Sequence, residues 1–224
     1  MDEGETYVKP GVGDRAEPSR RKRRWKTLSC GVILLAAFAL LPTYVWVYKL
    51  SGISDAPTLL LGDYVWVNLA AYDLRLPYSD RVVWNRAGPA LGDLVLVESP
   101  DNGHPVFKRV VALPGDRVGM QQHHLTINGR LLAYTVADNA AFAAVPAENR
   151  LGSVIEMEAI GAHAHLITYT PGSATSSFPE VLVPVDHNFL MGDNRDESRD
   201  SRSWGPVPRQ RLRGRVFVQP RGGH

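Results

Sequence analysis

Residues 28–48 form an uncharged, largely apolar run of 21 residues, and the pattern of the chain changes abruptly after it. A helix of that length spans about 31 Å, close to the thickness of a bilayer core. Pro42 falls inside the run, where a membrane helix tolerates a kink. Trp25 on one side and Tyr44, Trp46 and Tyr48 on the other suit the two membrane interfaces. Beyond Lys49 come short runs rich in β-branched and aromatic residues, at 64–68, 94–98, 106–113, 125–128, 131–135, 154–160, 163–169, 181–185, 189–191 and 215–219. Each is expected to be a strand. Asp101-Asn102-Gly103 and Asn128-Gly129 have the composition of hairpin turns, and Leu113-Pro114-Gly115-Asp116 that of another turn. Residues 136–152 and 170–180 read as loops or excursions. No internal repeat and no second long helical period is present. The pattern predicts a mainly β, barrel-like antiparallel domain behind one N-terminal transmembrane helix.

Charge gives that helix a direction. Six of the seven residues from Arg20 to Lys26 are Lys or Arg, and only Lys49 follows closely on the far side. The positive-inside rule then places the N-terminus in the cytoplasm and the rest outside. The expected organisation is a cytoplasmic basic tail over 1–26, a signal-anchor helix over 27–49 and an extracytoplasmic β-rich domain over 50–224. Residues 1–19 are polar and read as a disordered tail. Two other readings of the run are a buried core helix and a cleaved signal peptide. Ala37-Phe38-Ala39 has the small-x-small form of a cleavage site, but it falls in the middle of the run.

The net charge of +2 hides an asymmetry. Residues 1–26 carry eight Lys/Arg against five Asp/Glu, whereas residues 51–224 carry sixteen against eighteen. The basic excess sits at one end, which argues against nucleic acid as the partner of the main domain. With one cysteine, Cys30, the chain forms no internal disulfide.

Of the sixteen basic residues in 51–224, fifteen are arginine and one is Lys108. It lies in Pro105-Val106-Phe107-Lys108-Arg109-Val110-Val111-Ala112-Leu113, where alternation puts it on a face with Val106 and Val110 and points Arg109 the other way. An amine among apolar neighbours is hard to charge, so a lysine there can accept a proton, whereas a guanidinium stays charged. The competing reading is an edge lysine whose stem packs and whose ammonium reaches water. Ser54 sits in a Gly/Pro-constrained stretch, Ser51 to Asp63, ahead of a strand. That suits a nucleophile, but such a hydroxyl needs a base and equally fits an ordinary loop. A third segment, Gly192 to Gly205, alternates Asp, Arg and Ser between glycines. Arg–carboxylate pairs can hold such a loop rigid enough to set a hydroxyl against an amine.

Taken together, these three segments resemble type I signal peptidases, the leader peptidases. Ser54-Asp55-Ala56-Pro57-Thr58 is similar to the family's nucleophile motif of serine, two residues, then Pro-Thr. Lys108-Arg109 through Pro114-Gly115-Asp116 is similar to its lysine box. Gly192-Asp193-Asn194-Arg195-Asp196, with Ser198, Asp200-Ser201-Arg202 and Trp204-Gly205, is similar to its third box. The resemblance covers most of 51–219 apart from 136–180. It implies Ser54 as nucleophile and Lys108 as base, with Ser198 orienting the lysine amine, Asp193 paired with Arg109 and Asp200 with Arg202. It also implies secretory preproteins as substrates, a membrane lipid environment, no cofactor, no metal, and small residues at the first and third positions before the cut.

Neutral Lys108 would take the Ser54 proton, the Ser54 backbone N–H would serve the oxyanion, and the substrate would add as a strand to a sheet edge. Two positions depart from the family. Gly52 stands where many members have serine, and Asp55 where methionine is usual. A carboxylate roughly 6 Å from a developing oxyanion would oppose it by about 3 kcal/mol at an effective dielectric near 20, about a hundredfold in rate, unless Asp55 points to water. The alternatives are a specialist peptidase, a self-cleaving repressor of similar chemistry, and an inactive membrane-tethered substrate-binding module. The His123-His124 pair with His163 and His165 is a weaker hint of a metal site.

Overall fold

The computed structural model describes residues 44–77, 79–137 and 153–218. The basic tail and residues 28–43 of the apolar run lie outside the described residues. Sixteen strands account for about half of the described residues: β1 (Val45–Lys49), β2 (Tyr64–Asn68), β3 (Asp73–Arg75), β4 (Val82–Asn85), β5 (Leu94–Glu98), β6 (Pro105–Ala112), β7 (Arg117–Gln121), β8 (His124–Ile127), β9 (Arg130–Leu131), β10 (Ala133–Val136), β11 (Val154–Ile160), β12 (His163–Tyr169), β13 (Phe178–Leu182), β14 (His187–Met191), β15 (Val207–Pro208) and β16 (Leu212–Val218). One helical turn, α1 (Ser201–Trp204), follows β14. The named strands pair antiparallel throughout, and the domain is mainly β with a curled half-barrel sheet.

The main sheet runs β1-β2-β16-β5-β6-β14-β15. Its central strand β5 is apolar at four consecutive positions because both faces are covered. Leu94 and Leu96 join Leu50, Leu59, Val65, Val67 and Phe107 on one side. Val95 and Val97 join Tyr72, Val110, Leu190, Val207 and Leu212 on the other. A third cluster, including Val118, Met120, Leu125, Ile160 and Phe189, fills the space by the smaller sheets β13-β7-β8-β9 and β10-β11-β12. Asn128 and Gly129 both have positive φ, at 52° and 74°, so the β8–β9 turn uses the two residues that tolerate it best.

Several sequence expectations need correction. Val45–Lys49, read as the end of the membrane helix, is strand β1 and pairs along its whole length with β2. Val45, Trp46, Val47 and Tyr48 are residues that fit a pleated surface, and an uncharged run does not reveal where helix gives way to strand. Among the described residues no helix is long and apolar enough to cross a membrane. The strand expected at 181–185 lies at Phe178–Leu182, taking three residues from an expected loop. β3 and β7 carried too few apolar positions to stand out, whereas β4 and β15 are apolar runs of only three and two residues, too short to mark a strand. The expected 131–135 strand divides into β9 and β10 around Leu132.

Candidate active site

Ser54 lies in the turn that joins β1 to β2, and Lys108 in the middle of β6 opposite Val95. The curl of the sheet brings them together. Lys108 Nζ is 2.7 Å from Ser54 Oγ and donates a second hydrogen bond, 2.6 Å, to the Phe107 carbonyl. Lys108 is only 2% exposed, which rules out the edge lysine reaching water. The hydroxyl of Ser54 donates to Asp55 Oδ2 at 2.7 Å. Asp55 is 5% exposed, so it points neither to bulk water nor away from the dyad, and its Oδ2 is 3.6 Å from Lys108 Nζ. Burial pushes its carboxyl up to about 6, with Lys108 pulling down less strongly and Asp193 adding to the rise.

The segment after β14 holds the nucleophile turn in place. The Asn194 N–H donates to the Ser54 carbonyl at 3.0 Å, and the Asn194 side chain donates to the Ile53 carbonyl at 3.3 Å. Arg109 meets Asp193 through Nε and one terminal nitrogen at 2.8 and 2.6 Å, a two-pronged contact in which both partners are buried. The Thr58 hydroxyl also donates to Asp193. Burial alone would raise the Asp193 carboxyl, but Arg109, His165 and Thr58 outweigh it and hold it below the usual range. Asp200 caps α1, pairs with Arg202 at 2.9 and 2.8 Å and accepts from the Gly192 N–H at 3.0 Å. Leu190 N–H donates to Ser201 Oγ at 2.9 Å, stitching the same turn to β14.

Ser198 departs from its expected role. Its hydroxyl is buried without a hydrogen-bond partner among the described residues, and the Lys108 amine is oriented by Ser54 and the Phe107 carbonyl instead. Gly192, Ser198 and the Ser54 carbonyl are packed closely: a Cβ on Gly192 would lie 2.3 Å from both Ser198 Oγ and that carbonyl oxygen.

Behind the Arg109–Asp193 pair is a buried polar cluster that the sequence reading did not assemble. Arg195 bonds Glu158 at 2.7 Å, Tyr134 donates to Glu158 at 2.5 Å, and His165 lies 3.2 Å from Glu158 and 3.6 Å from Asp193. Glu158 faces His165 directly across the β11–β12 pair. Burial would raise the Glu158 carboxyl, and Arg195 and His165 overcome this and hold it well below its ordinary value. The sequence signal was a glutamate on the strand face shared with Ile160, but its partner Arg195 is 37 residues away. Of the histidines, His124 of β8 bonds Glu156 of β11 at 2.8 Å and His123 stacks on Tyr169 of β12, so these rings join the two smaller sheets.

The sequence model of the family described as "Signal peptidase, peptidase S26" matches residues 23–219. Signal peptidase I of Pseudomonas aeruginosa is 32% identical over 201 residues, and that of Pseudomonas fluorescens 34% over 202. Each alignment takes in 84% of this chain and 66% of the relative, so the chain spans a little under two thirds of their length. Signal peptidase I of Aquifex aeolicus is 28% identical over 218 residues, 84% of this chain and 80% of the relative. Among solved structures, a signal peptidase I from Enterococcus faecalis shares 26% identity, with a TM-score of 0.37, over 59% of this chain and 98% of that one.

Proposed function

Because the chain belongs to the peptidase S26 family of signal peptidases, we propose that it is a membrane-tethered serine endopeptidase that removes signal peptides from exported preproteins, with Ser54 as nucleophile and Lys108 as its proton-exchange partner. The observation that carries this reading is the 2.7 Å contact between Ser54 Oγ and the almost fully buried Lys108 Nζ. A serine hydroxyl is a weak nucleophile until a neighbouring group manages its proton. Ser54 Oγ attacks the scissile carbonyl, its backbone N–H faces the oxyanion, the leaving amine departs with a proton, and water then releases the acyl group. Lysine suits this cycle because it can lose and regain a proton, which a guanidinium cannot.

The Arg109–Asp193 and Arg202–Asp200 pairs position the centre without touching the reacting atoms. The substrate binds extended against a sheet edge, with small residues at the first and third positions before the cut. The uncharged stretch ahead of β1, residues 27–44, still has 18 residues, within the range of about 17–25 that spans a bilayer. It is the anchor in this reading, with the tail of residues 1–26 in the cytoplasm and the catalytic domain on the outer face.

The test is cleavage of a model preprotein by the purified chain in detergent. Ser54→Ala and Lys108→Arg are each expected to abolish it, the second because charge alone does not serve the site. Full activity in Lys108→Arg, or no cleavage of any of several preproteins by the unaltered chain, overturns the reading.

A further inference from the structure

Asp55 is the feature of the centre that a serine–lysine pair leaves unexplained. Its Oδ2 accepts the Ser54 hydroxyl hydrogen at 2.7 Å, and the same Ser54 oxygen takes a hydrogen bond from Lys108 at 2.7 Å. The proton on Ser54 therefore points at the carboxylate, and the lysine acts on Oγ as a donor. The other carboxylate oxygen, Oδ1, is buried and has no hydrogen-bond partner among the described residues. A buried carboxylate with one oxygen unsatisfied is a poor place for a permanent negative charge and a receptive place for a proton.

We infer that Asp55 is a catalytic residue: its carboxylate takes the Ser54 proton as Oγ attacks, and Lys108 delivers a proton to the leaving amine. This rests on the reading of the chain as a Ser54 peptidase. In the first step the Ser54 O–H bond breaks, Oγ bonds to the carbonyl carbon, the carbonyl π pair moves to oxygen, and the proton sits on Asp55 Oδ2. In the second step the oxyanion pair re-forms the carbonyl, the C–N bond breaks, and nitrogen takes a proton from the Lys108 ammonium. Asp55 then returns its proton to the Lys108 amine, restoring the starting charges. Water repeats the cycle against the acyl-enzyme, giving its proton to Asp55, and Ser54 Oγ leaves with one from Lys108.

The assignment also resolves the objection that a carboxylate beside the nucleophile opposes the oxyanion. Asp55 becomes neutral in the step in which the oxyanion forms, so the two negative charges do not coexist. Four groups bear on its protonation: the Ser54 hydroxyl in its own turn, Lys108 and Arg109 from β6, and Asp193 from the segment after β14. Burial, reinforced by Asp193, places the carboxyl near 6, in the range where a group can both accept and release a proton at neutral pH.

The test measures acylation of Ser54 separately from peptide specificity. The full chain in detergent is treated with p-nitrophenyl acetate between pH 4.5 and 10. Release of p-nitrophenolate and the acetylated mass of Ser54 are followed in the unaltered chain, in Asp55→Asn and in Asp55→Met. The unaltered chain is expected to acylate along a limb centred near pH 6 that levels off by pH 7.5. In both variants that limb disappears, acylation at pH 7 falls at least a hundredfold, and a rise remains only in the alkaline range. Thermal unfolding confirms that each variant is folded. Variants that keep the rate and pH limb of the unaltered chain, or exceed them, overturn the assignment, as does a chain that does not acylate at Ser54. Acylation with the expected limb but no cleavage of preproteins leaves Asp55 in place and removes the signal peptidase reading instead.

Discussion

Gly192→Ala tests how closely the third box is fitted to the nucleophile. Gly192 does not have positive φ, so alanine meets no backbone penalty there, and the whole effect is steric. The new Cβ would lie 2.3 Å from the Ser54 carbonyl oxygen, 2.3 Å from Ser198 Oγ and 2.5 Å from Ser198 Cβ. Real Cβ contacts do not fall below 3.0 Å, so the β1–β2 turn and the segment after β14 must separate by about 0.7 Å. Ser198 can rotate, but the Ser54 carbonyl cannot, because it is backbone and is bonded to the Asn194 N–H. A misplacement of about 1 Å costs on the order of a hundredfold in rate, so the expected loss in acylation and peptide cleavage is about thirty- to a hundredfold. Overpacking of this kind costs about 1–3 kcal/mol, which lowers Tm by roughly 2–12 °C in a domain of this size. Stopped-flow acylation and a thermal melt read the two effects separately. Gly88→Ala, where an added Cβ meets nothing within 4 Å, is the control and is expected to match the unaltered chain. A Gly192→Ala variant with unaltered acylation shows that the contact is relieved without moving Ser54, and the positioning argument fails.

Two further outcomes concern the charged framework. Arg109→Met leaves the buried Asp193 carboxylate without its two-pronged partner, and breaking such a pair costs about 3–5 kcal/mol. Unfolding in urea checks this, and adding Asp193→Asn is expected to recover most of the loss; a single variant within about 1 kcal/mol of the unaltered chain contradicts it. Asp193, Glu158 and Asp200 all have carboxyls held below their unfolded values, so they bind protons only once the chain opens. Their stability is fully present above about pH 4–5 and is lost as pH falls below it. Asp55 runs the other way. Its raised value makes its contribution greatest below about pH 4 and loses it as pH rises through about 6, so Asp55→Asn is expected to gain on the unaltered chain between those values, by on the order of 2–3 kcal/mol at pH 7. Denaturant midpoints measured from pH 3 to 8 show both trends, and a flat difference curve for Asp55→Asn refutes the second.

The chain order alone made several features legible. The runs at 64–68, 94–98, 154–160 and 163–169 coincide with β2, β5, β11 and β12, because a short run rich in β-branched, aromatic and other apolar residues is a local property. Lys108 stood out for the same reason: one lysine among fifteen arginines, set between valines, is visible without any fold. Boundaries set by pairing were not visible. Val45–Lys49 is a strand because Tyr64–Asn68 lies alongside it; Val45–Tyr48 are residues that also suit the apolar end of a membrane helix, so their composition alone does not mark where helix gives way to strand.

The site divides along the same line. Residue type identified a hydroxyl, an amine and a set of Asp–Arg pairs as the chemistry, and each pair of neighbours such as Asp200 and Arg202 is close because it is close in sequence. The direction of each hydrogen bond depended on contacts spanning the chain: Ser54 to Lys108 across 54 residues, Arg109 to Asp193 across 84, Thr58 to Asp193 across 135. Only the curled sheet decided that Ser198 Oγ meets no hydrogen-bond partner among the described residues, that Phe107 supplies the lysine's second acceptor, and that Asp55 turns inward onto the nucleophile. A charge's effect is set by its distance, its burial and what it faces, and those belong to the folded arrangement rather than to the order of residues.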